Sequence, residues 1–360
     1  MSRHMGMNMA RPPKDRDFIE TTDGFFSCVV GYLHPRDKII SYVKYIPNAG
    51  GKWGRRERRY KRFLGAYTIP HLADNINELG DKYPQYVFYS DVLNTTMSCC
   101  PLNFVRRLLH PEVKLQRLRL TQKRDPLQER VISLVSLLSK ESGISHRFFG
   151  VTGSILIDIH QPDFSDIDLT VYGRENSLKV KEAALNLYRS NRSPLRRLRG
   201  AVLDRWCEEK AKDFPITGEE ARTIYERTWN RGVFGKTLFS IHPVRLDEEI
   251  TETYGDRIFI PEGMAEIEAI ISETDEAVFL PCTYGVETIS VHKGEANITE
   301  ITTYQGFYGD IVEEGETVAA RGKLERVIDR RSGHEHYRLF IGSVDAQGRD
   351  YIKPQQVRKV

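Results

Sequence analysis

The stretch from Asp125 to Tyr172 constrains the fold more than any other part of this 360-residue chain. Asp125-Pro126 is a helix start, because proline is favoured in the first turn, where its missing N–H is not needed. Leu127, Val131, Leu134, Val135, Leu137 and Leu138 then recur at three- and four-residue spacing. That spacing predicts an amphipathic helix to about Lys140, ended by Ser142-Gly143. Phe148-Phe149-Gly150-Val151 leads into Thr152-Gly153-Ser154, and Asp166-Ile167-Asp168-Leu169-Thr170-Val171-Tyr172 reads as a strand. Strand side chains alternate between faces, so Asp166 and Asp168 point the same way.

Eleven residues separate Ser154 from Asp166. A helix, a Gly-Ser turn and an Asp-x-Asp strand in this order resemble the signature of the polymerase-beta-like nucleotidyltransferase superfamily. The likeness is strong over residues 125–175 and weaker to about 250. It implies that Asp166 and Asp168 are catalytic and hold Mg²⁺ (or Mn²⁺), that Gly153 and Ser154 meet the NTP, and that a nucleotide is transferred to an acceptor. The chemistry is consistent with this. Transfer at phosphorus is aided by divalent ions that stabilise the attacking and leaving oxygens, and Mg²⁺ prefers carboxylates and phosphates. A glycine lets backbone N–H groups approach phosphates. Taken alone, an Asp-x-Asp is usually a solvated strand face and Gly-Ser only a turn; the flanking helix and strand give the combination its specificity.

The superfamily also supplies a third carboxylate from a later strand. The expected strand, Lys236-Thr237-Leu238-Phe239-Ser240-Ile241-His242, contains no Asp or Glu and stops at Pro243. Three readings stay open: His242 serves as base or ligand, Asp247 or Glu248 reaches in from the following loop, or the position is vacant and the domain is inactive. Asp163 and His160 read as loop and surface residues of the preceding connection.

Charge is unevenly spread. Residues 1–200 hold 33 Lys and Arg against 20 Asp and Glu, whereas residues 201–360 hold 20 against 30. Either the first half meets an anionic partner or the halves attract each other. Residues 52–62 carry seven cations, including Arg55, Arg56, Arg58 and Arg59, with Trp53 and Tyr60 interleaved. Further clusters lie at Arg117 to Arg124 and Arg189 to Arg199. Cations bind phosphates and aromatics stack on bases, so these clusters point to an RNA or tRNA-like acceptor. The competing readings are nucleotidylation of a protein or small molecule, and an inactive fold that binds nucleic acid.

The expected fold class is α+β in four segments. Residues 1–16 read as a disordered tail. Residues 17–122 form a mixed α+β domain with a hairpin (Phe25–Tyr32 and Ile39–Ile46) and a short helix over Asn103–Leu109. Residues 123–256 form the nucleotidyltransferase core. Residues 257–360, with short β-rich runs such as Ala277–Leu280, Ile298–Thr303 and Thr317–Val327, form a barrel-like, loosely OB-like domain. No apolar run approaches the ~18 residues that cross a bilayer. Cys28, Cys99, Cys100, Cys207 and Cys282 show no C-x-x-C spacing, which reads as reduced, mostly buried thiols in a cytoplasmic protein.

Overall fold

The computed structural model describes residues 11–355 except 56, 64, 66–68 and 294–296; the side chains of Arg55 and Pro70 are also outside the description. Its described residues form a mixed α+β architecture of three sheets and seven α-helices.

The first sheet holds β1 (Phe18–Thr21), β2 (Phe26–Val29), β3 (Lys38–Pro47), β4 (Trp53–Arg55), β5 (Arg58–Arg62), β6 (Val87–Ser90), β7 (Thr95–Pro101) and β8 (Val105–Leu109). The expected hairpin is β2–β3, paired antiparallel. Helix α1 (Ile69–Lys82) follows β5, and its Leu79 joins Ile19, Val29, Ile39 and Val43 in one apolar core. The helix expected over Asn103–Leu109 is instead one short 3₁₀ turn and the strand β8, which pairs with β1. β-branched Val105 and the pairing available on the edge of β1 outweigh a weak helical pattern.

The second sheet has the order β11 (Leu195–Arg196), β12 (Arg231–Phe234), β13 (Thr237–Val244), β10 (Ile167–Tyr172), β9 (Phe149–Val151). Helices α2 (Pro111–Leu120), α3 (Pro126–Ser142) and α5 (Arg174–Arg189) cover it, with Leu115, Leu134, Val180 and Leu187 packed against Ile167, Leu169 and Val171. Asp125 caps α3 by accepting from the N–H of Leu127 and Gln128, and Gly143 closes it in the left-handed conformation. Helix α2, which precedes the expected boundary at 122/123, shares this core through Leu115 and Leu118. The short helix α4 (Gly153–Leu156) follows β9. Pro243 lies inside β13, not beyond it. Strand β12 pairs with β13 only as far as Ser240, so no partner on that side needs the missing N–H of Pro243.

Helices α6 (Gly200–Asp213) and α7 (Gly218–Arg227) lie between β11 and β12 in sequence, yet Leu203, Phe214, Ile224 and Tyr225 pack into the core of the third sheet. That sheet comprises β14 (Arg257–Glu273), β15 (Cys282–Lys293), β16 (Ile298–Thr303), β17 (Thr317–Asp329), β18 (Glu335–Ile341) and β19 (Tyr351–Pro354). It closes on itself: β14 pairs with β15 and β17, β16 runs parallel to β18, and β19 adds to β17. These pairings join β14 to β18 in a closed ring of strands. The expected strand at Ala277–Leu280 is a turn segment, and the 17-residue β14 supplies the first strand.

Residues 11–16, expected within the tail, are packed. The Arg11 guanidinium bonds both carboxylate oxygens of Asp17 at 2.7 and 2.8 Å and both of Glu112 at 2.8 and 3.0 Å. Lys14 is buried and pairs with Asp247 at 2.8 Å. The basic and acidic halves also meet: Lys181 pairs with Asp310 at 2.8 Å, and Arg174 with Asp275. All five cysteines are buried and free.

Candidate functional site

A cleft of about 1410 Å³ lies where the three sheets meet, and Gly153, Asp166, Asp168, Ser240 and His242 line it. The register of the second sheet builds its floor. Strand β10 runs parallel to β13 with Asp168 opposite Ser240, and β12 runs antiparallel with Arg231 opposite Ser240. Paired residues share a face, so Asp168, Ser240 and Arg231 form one row across the sheet. Asp166, expected as the first strand residue, lies just before β10; it lines the same cleft and is exposed.

Gly153 has φ +65°, and a Cβ built there would collide with the Asp168 carboxylate, Cγ being 3.3 Å away. Only a residue without a side chain fits this backbone against that carboxylate. The Thr152 N–H donates to the Asp168 carbonyl at 2.8 Å, locking the turn to the strand. Ser154 is buried at this turn.

Asp166 and Asp168 are poised differently. Loss of solvent in the cleft, then the neighbouring Asp168 charge, push the Asp166 carboxyl up to about 6, against the pull of Arg62 and Lys44. Burial would raise Asp168 as well, but hydrogen bonding within the His242–Ser240 group and the Lys44 charge outweigh it and hold Asp168 well below the usual range. The Ser240 hydroxyl donates to Asp168 Oδ1 at 2.6 Å and lies 2.9 Å from His242 Nε2. A hydroxyl has one proton, and an ionised carboxylate only accepts, so neutral His242 donates from Nε2. Burial, then the Arg16 charge, bring His242 down to about 4.

Cations ring the carboxylates. Arg16 and Arg231 both feel the Asp168 charge; Arg16 Nε pairs with Asp15 at 3.1 Å, and Arg231 Nε is buried without a hydrogen-bond partner. Arg16 has φ +71°, costly for a residue with a side chain. Its carbonyl accepts from Thr152 Oγ1 at 2.7 Å, which joins the N-terminal segment to the Gly153 turn. The sequence reading did not single out Arg16, Arg231, Ser240 or Lys44, since each stands far from the motif in sequence. Asp247, one candidate for the third carboxylate, is engaged with Lys14, and Glu248 lies on the same short 3₁₀ turn. His242 is the candidate that reaches the dyad, with Nε2 3.9 Å from Asp168 Oδ1.

The basic hairpin β4–β5 docks beside the cleft. The Gly54 N–H donates to the Ile159 carbonyl at 2.7 Å, and Trp53 packs against Tyr45 and Phe164. Lys52, Arg58, Arg59, Lys61 and Arg62 are exposed, and Arg62 also lines the cleft. Arg56 and the Arg55 side chain lie outside the described residues. Tyr60, expected to stack on bases, is buried against Phe26. His160, read as a surface residue, is also buried, with Nε2 2.7 Å from Asp125 Oδ2 at the cap of α3.

A second cluster of ligand-type groups, Asp17, His110 and Glu112, has donor atoms close enough for a metal ion. Arg11 already neutralises both of its carboxylates, so the cluster works as a clasp on the N-terminal segment.

The chain matches no protein-family model. No solved structure matches it. It is similar to the uncharacterized protein MJ1086 of Methanocaldococcus jannaschii, with 30% identity over 343 residues, covering 94% of this chain and 98% of the relative. The chain belongs to the family of that archaeal protein.

Proposed function

We propose that this protein is a divalent-metal-dependent nucleotidyltransferase, moving a nucleotide from an NTP to an RNA or tRNA-like acceptor. One observation carries the reading: Gly153 is pressed against Asp168, beside Asp166, on a cleft floor ringed by Arg16, Lys44, Arg62 and Arg231. Asp166 and Asp168 both line the cleft, and the Asp168 charge adds to burial in raising Asp166. A divalent ion offsets that charge, so the pair fits Mg²⁺ or Mn²⁺. When bound, such an ion stabilises charge on the attacking and leaving oxygens. The four cations hold the polyphosphate, and the bare Gly153 backbone leaves it room to approach. The exposed Arg58, Arg59 and Lys61 beside the cleft suit an RNA backbone. The closed barrel, with its third and fifth strands parallel, has the strand order of an OB-type domain, a class that binds single strands.

A second reading is an inactive nucleotidyltransferase fold that binds nucleic acid. It is favoured by Ser240 and His242, which stand on the neighbouring strand where the resemblance implies a third carboxylate. Incubating the protein with each labelled NTP, Mg²⁺ or Mn²⁺ and total RNA separates the two. Label in RNA supports transfer to RNA. Label in protein shifts the acceptor. No label, with retained RNA binding, leaves the inactive fold.

A further inference from the structure

Three guanidiniums of the first sheet converge on one carboxylate. Glu20 of β1 is buried, and Arg107 of β8 donates to its Oε2 from Nε at 2.8 Å and again from Nη2. Arg106 reaches Glu20 Oε1 at 3.6 Å, and Arg58 of β5 reaches the same oxygen at 3.8 Å. The register of β1 and β8 explains how two consecutive arginines meet one group. Glu20 pairs with Arg107 and Thr21 with Val105, so Arg106 is the extra residue of a β-bulge. In a regular strand consecutive side chains point to opposite faces; a bulge re-aims the extra one. The three guanidiniums stay open to solvent, with Arg58, Arg106 and Arg107 at 72, 65 and 58% exposure. Asp158, whose charge also acts on Arg58, is itself paired with Lys114, so the patch keeps a positive surplus.

We infer that Arg58, Arg106 and Arg107 form a docking site for the sugar-phosphate backbone of the acceptor RNA, outside the cleft. This rests on the RNA-acceptor reading and adds where the strand lies. The buried carboxylate gathers the cations against their mutual repulsion and leaves most of their charge facing solvent. A guanidinium fork matches phosphate oxygens two at a time. Arg58 and Arg106 touch Glu20 only at long range, so a phosphate can engage them while Arg107 keeps its two bonds to the carboxylate. The patch is continuous with the cleft. Glu20 pairs with Phe26, Phe26 with Tyr45 and Tyr45 with Arg62, which lines the cleft. Arg58 and Arg62 lie on one face of β5, about 14 Å apart at the usual rise of a strand. An extended backbone can therefore run from the patch along β5 to the cleft. Contacts to phosphate read no bases, so docking is independent of sequence.

Binding of labelled oligoadenylate and oligouridylate to the full chain is measured by fluorescence anisotropy over a salt series, beside a melting curve for each variant. Arg106→Gln should lower the log–log salt slope by about 0.7 and the double variant Arg106→Gln, Arg107→Gln by about 1.4, equally for both RNAs. Arg106→Lys keeps the charge and should keep the wild-type slope. The melting temperature of Arg106→Gln should hold, because that side chain is mostly exposed. Wild type that binds RNA, with Gln variants of unchanged slope, overturns the docking site and leaves the acceptor reading standing. Gln variants that melt earlier at an unchanged slope make the arginines a structural clamp and overturn it as well. An oligoglutamate of equal charge that displaces RNA from wild type but not from the double variant assigns the patch to an acidic protein segment instead. Wild type that binds no RNA overturns the RNA-acceptor reading, and the docking site with it.

Discussion

The Gly153 backbone lies against the Asp168 carboxylate so closely that a Cβ would collide with it. Gly153→Ala therefore incurs two penalties: the left-handed φ of +65°, at about 1–2 kcal/mol, and displacement of Asp168. It should lower the melting temperature and abolish Mg²⁺-dependent NTP binding. Gly143→Ala is the control. Its φ is +73° but nothing lies within 4 Å, so it should lose similar stability and keep NTP binding. Equal NTP binding by both variants would contradict a role for the Gly153 approach.

The two aspartates should show opposite pH behaviour. Asp166 is raised from 3.8 to about 6, so between those values the folded chain holds a proton that the unfolded chain has lost. Its contribution is full below the ordinary value and is lost as pH rises through about 6. Asp166→Asn should match wild type near pH 3.5 and exceed it in stability above pH 6. Asp168 is held low, so its contribution is present above the ordinary value and lost only as pH falls through the depressed one. Asp168→Asn should destabilise the protein at neutral pH. Both variants should lose divalent binding, and wild-type metal affinity should fall as pH drops through about 6. Melting curves and metal titrations from pH 3.5 to 8 test all of this; a stabilised Asp168→Asn variant would sink the assignment.

His242 should not titrate near neutrality. Burial and the Arg16 charge keep it near 4, so His242→Gln should leave the pH dependence of metal binding between 5 and 8 unchanged. Ser240→Ala removes a 2.6 Å donor from Asp168. The Asp168 carboxyl should then rise, so that its stabilising contribution is lost at a higher pH in the melting curves. An NMR titration of His242 with its midpoint near 6.5 would contradict the first expectation.

Local signals were legible and distant ones were not. The cap at Asp125, the three- and four-residue apolar spacing of α3 and the alternation around Asp166 and Asp168 are each set by neighbours in sequence. Strand β14 escaped because Ala265, Ile267, Ala269 and Ile271 alternate with Glu266 and Glu268, residues that also suit helices. The 11–16 segment looked like a tail because its order comes from Glu112 and Asp247, far along the chain. Arg16 and Arg231 lie more than 130 and 60 residues from the motif's nearest aspartate. Only the folding of the sheets brings them to it. The partition of α6 and α7 into the barrel core likewise depends on tertiary packing, which overrides position in the chain.

The basic hairpin should contribute to RNA binding through charge, and its tyrosine through stability. Arg58, Arg59 and Lys61 are exposed on β5. For single-stranded RNA each lost phosphate contact reduces the log–log salt slope by about 0.7, because fewer condensed counterions are released. The triple Ala variant should therefore lose about 2 units of slope and keep its melting temperature. The alternative, that these cations hold the acidic half of the chain, predicts a lower melting temperature. Arg58 pairs with Glu20 of β1 at 3.8 Å, within the same sheet. Tyr60 behaves differently. It is 6% exposed and packs on Phe26 with ring centroids 5.2 Å apart. Tyr60→Ala should cost about 3 kcal/mol through the cavity it leaves, without changing the salt slope of the folded protein. Titrating RNA at several salt concentrations, alongside a melting curve for each variant, checks both. An unchanged slope in the triple variant with unchanged stability would leave the hairpin as a solvated surface and remove its support for an RNA acceptor.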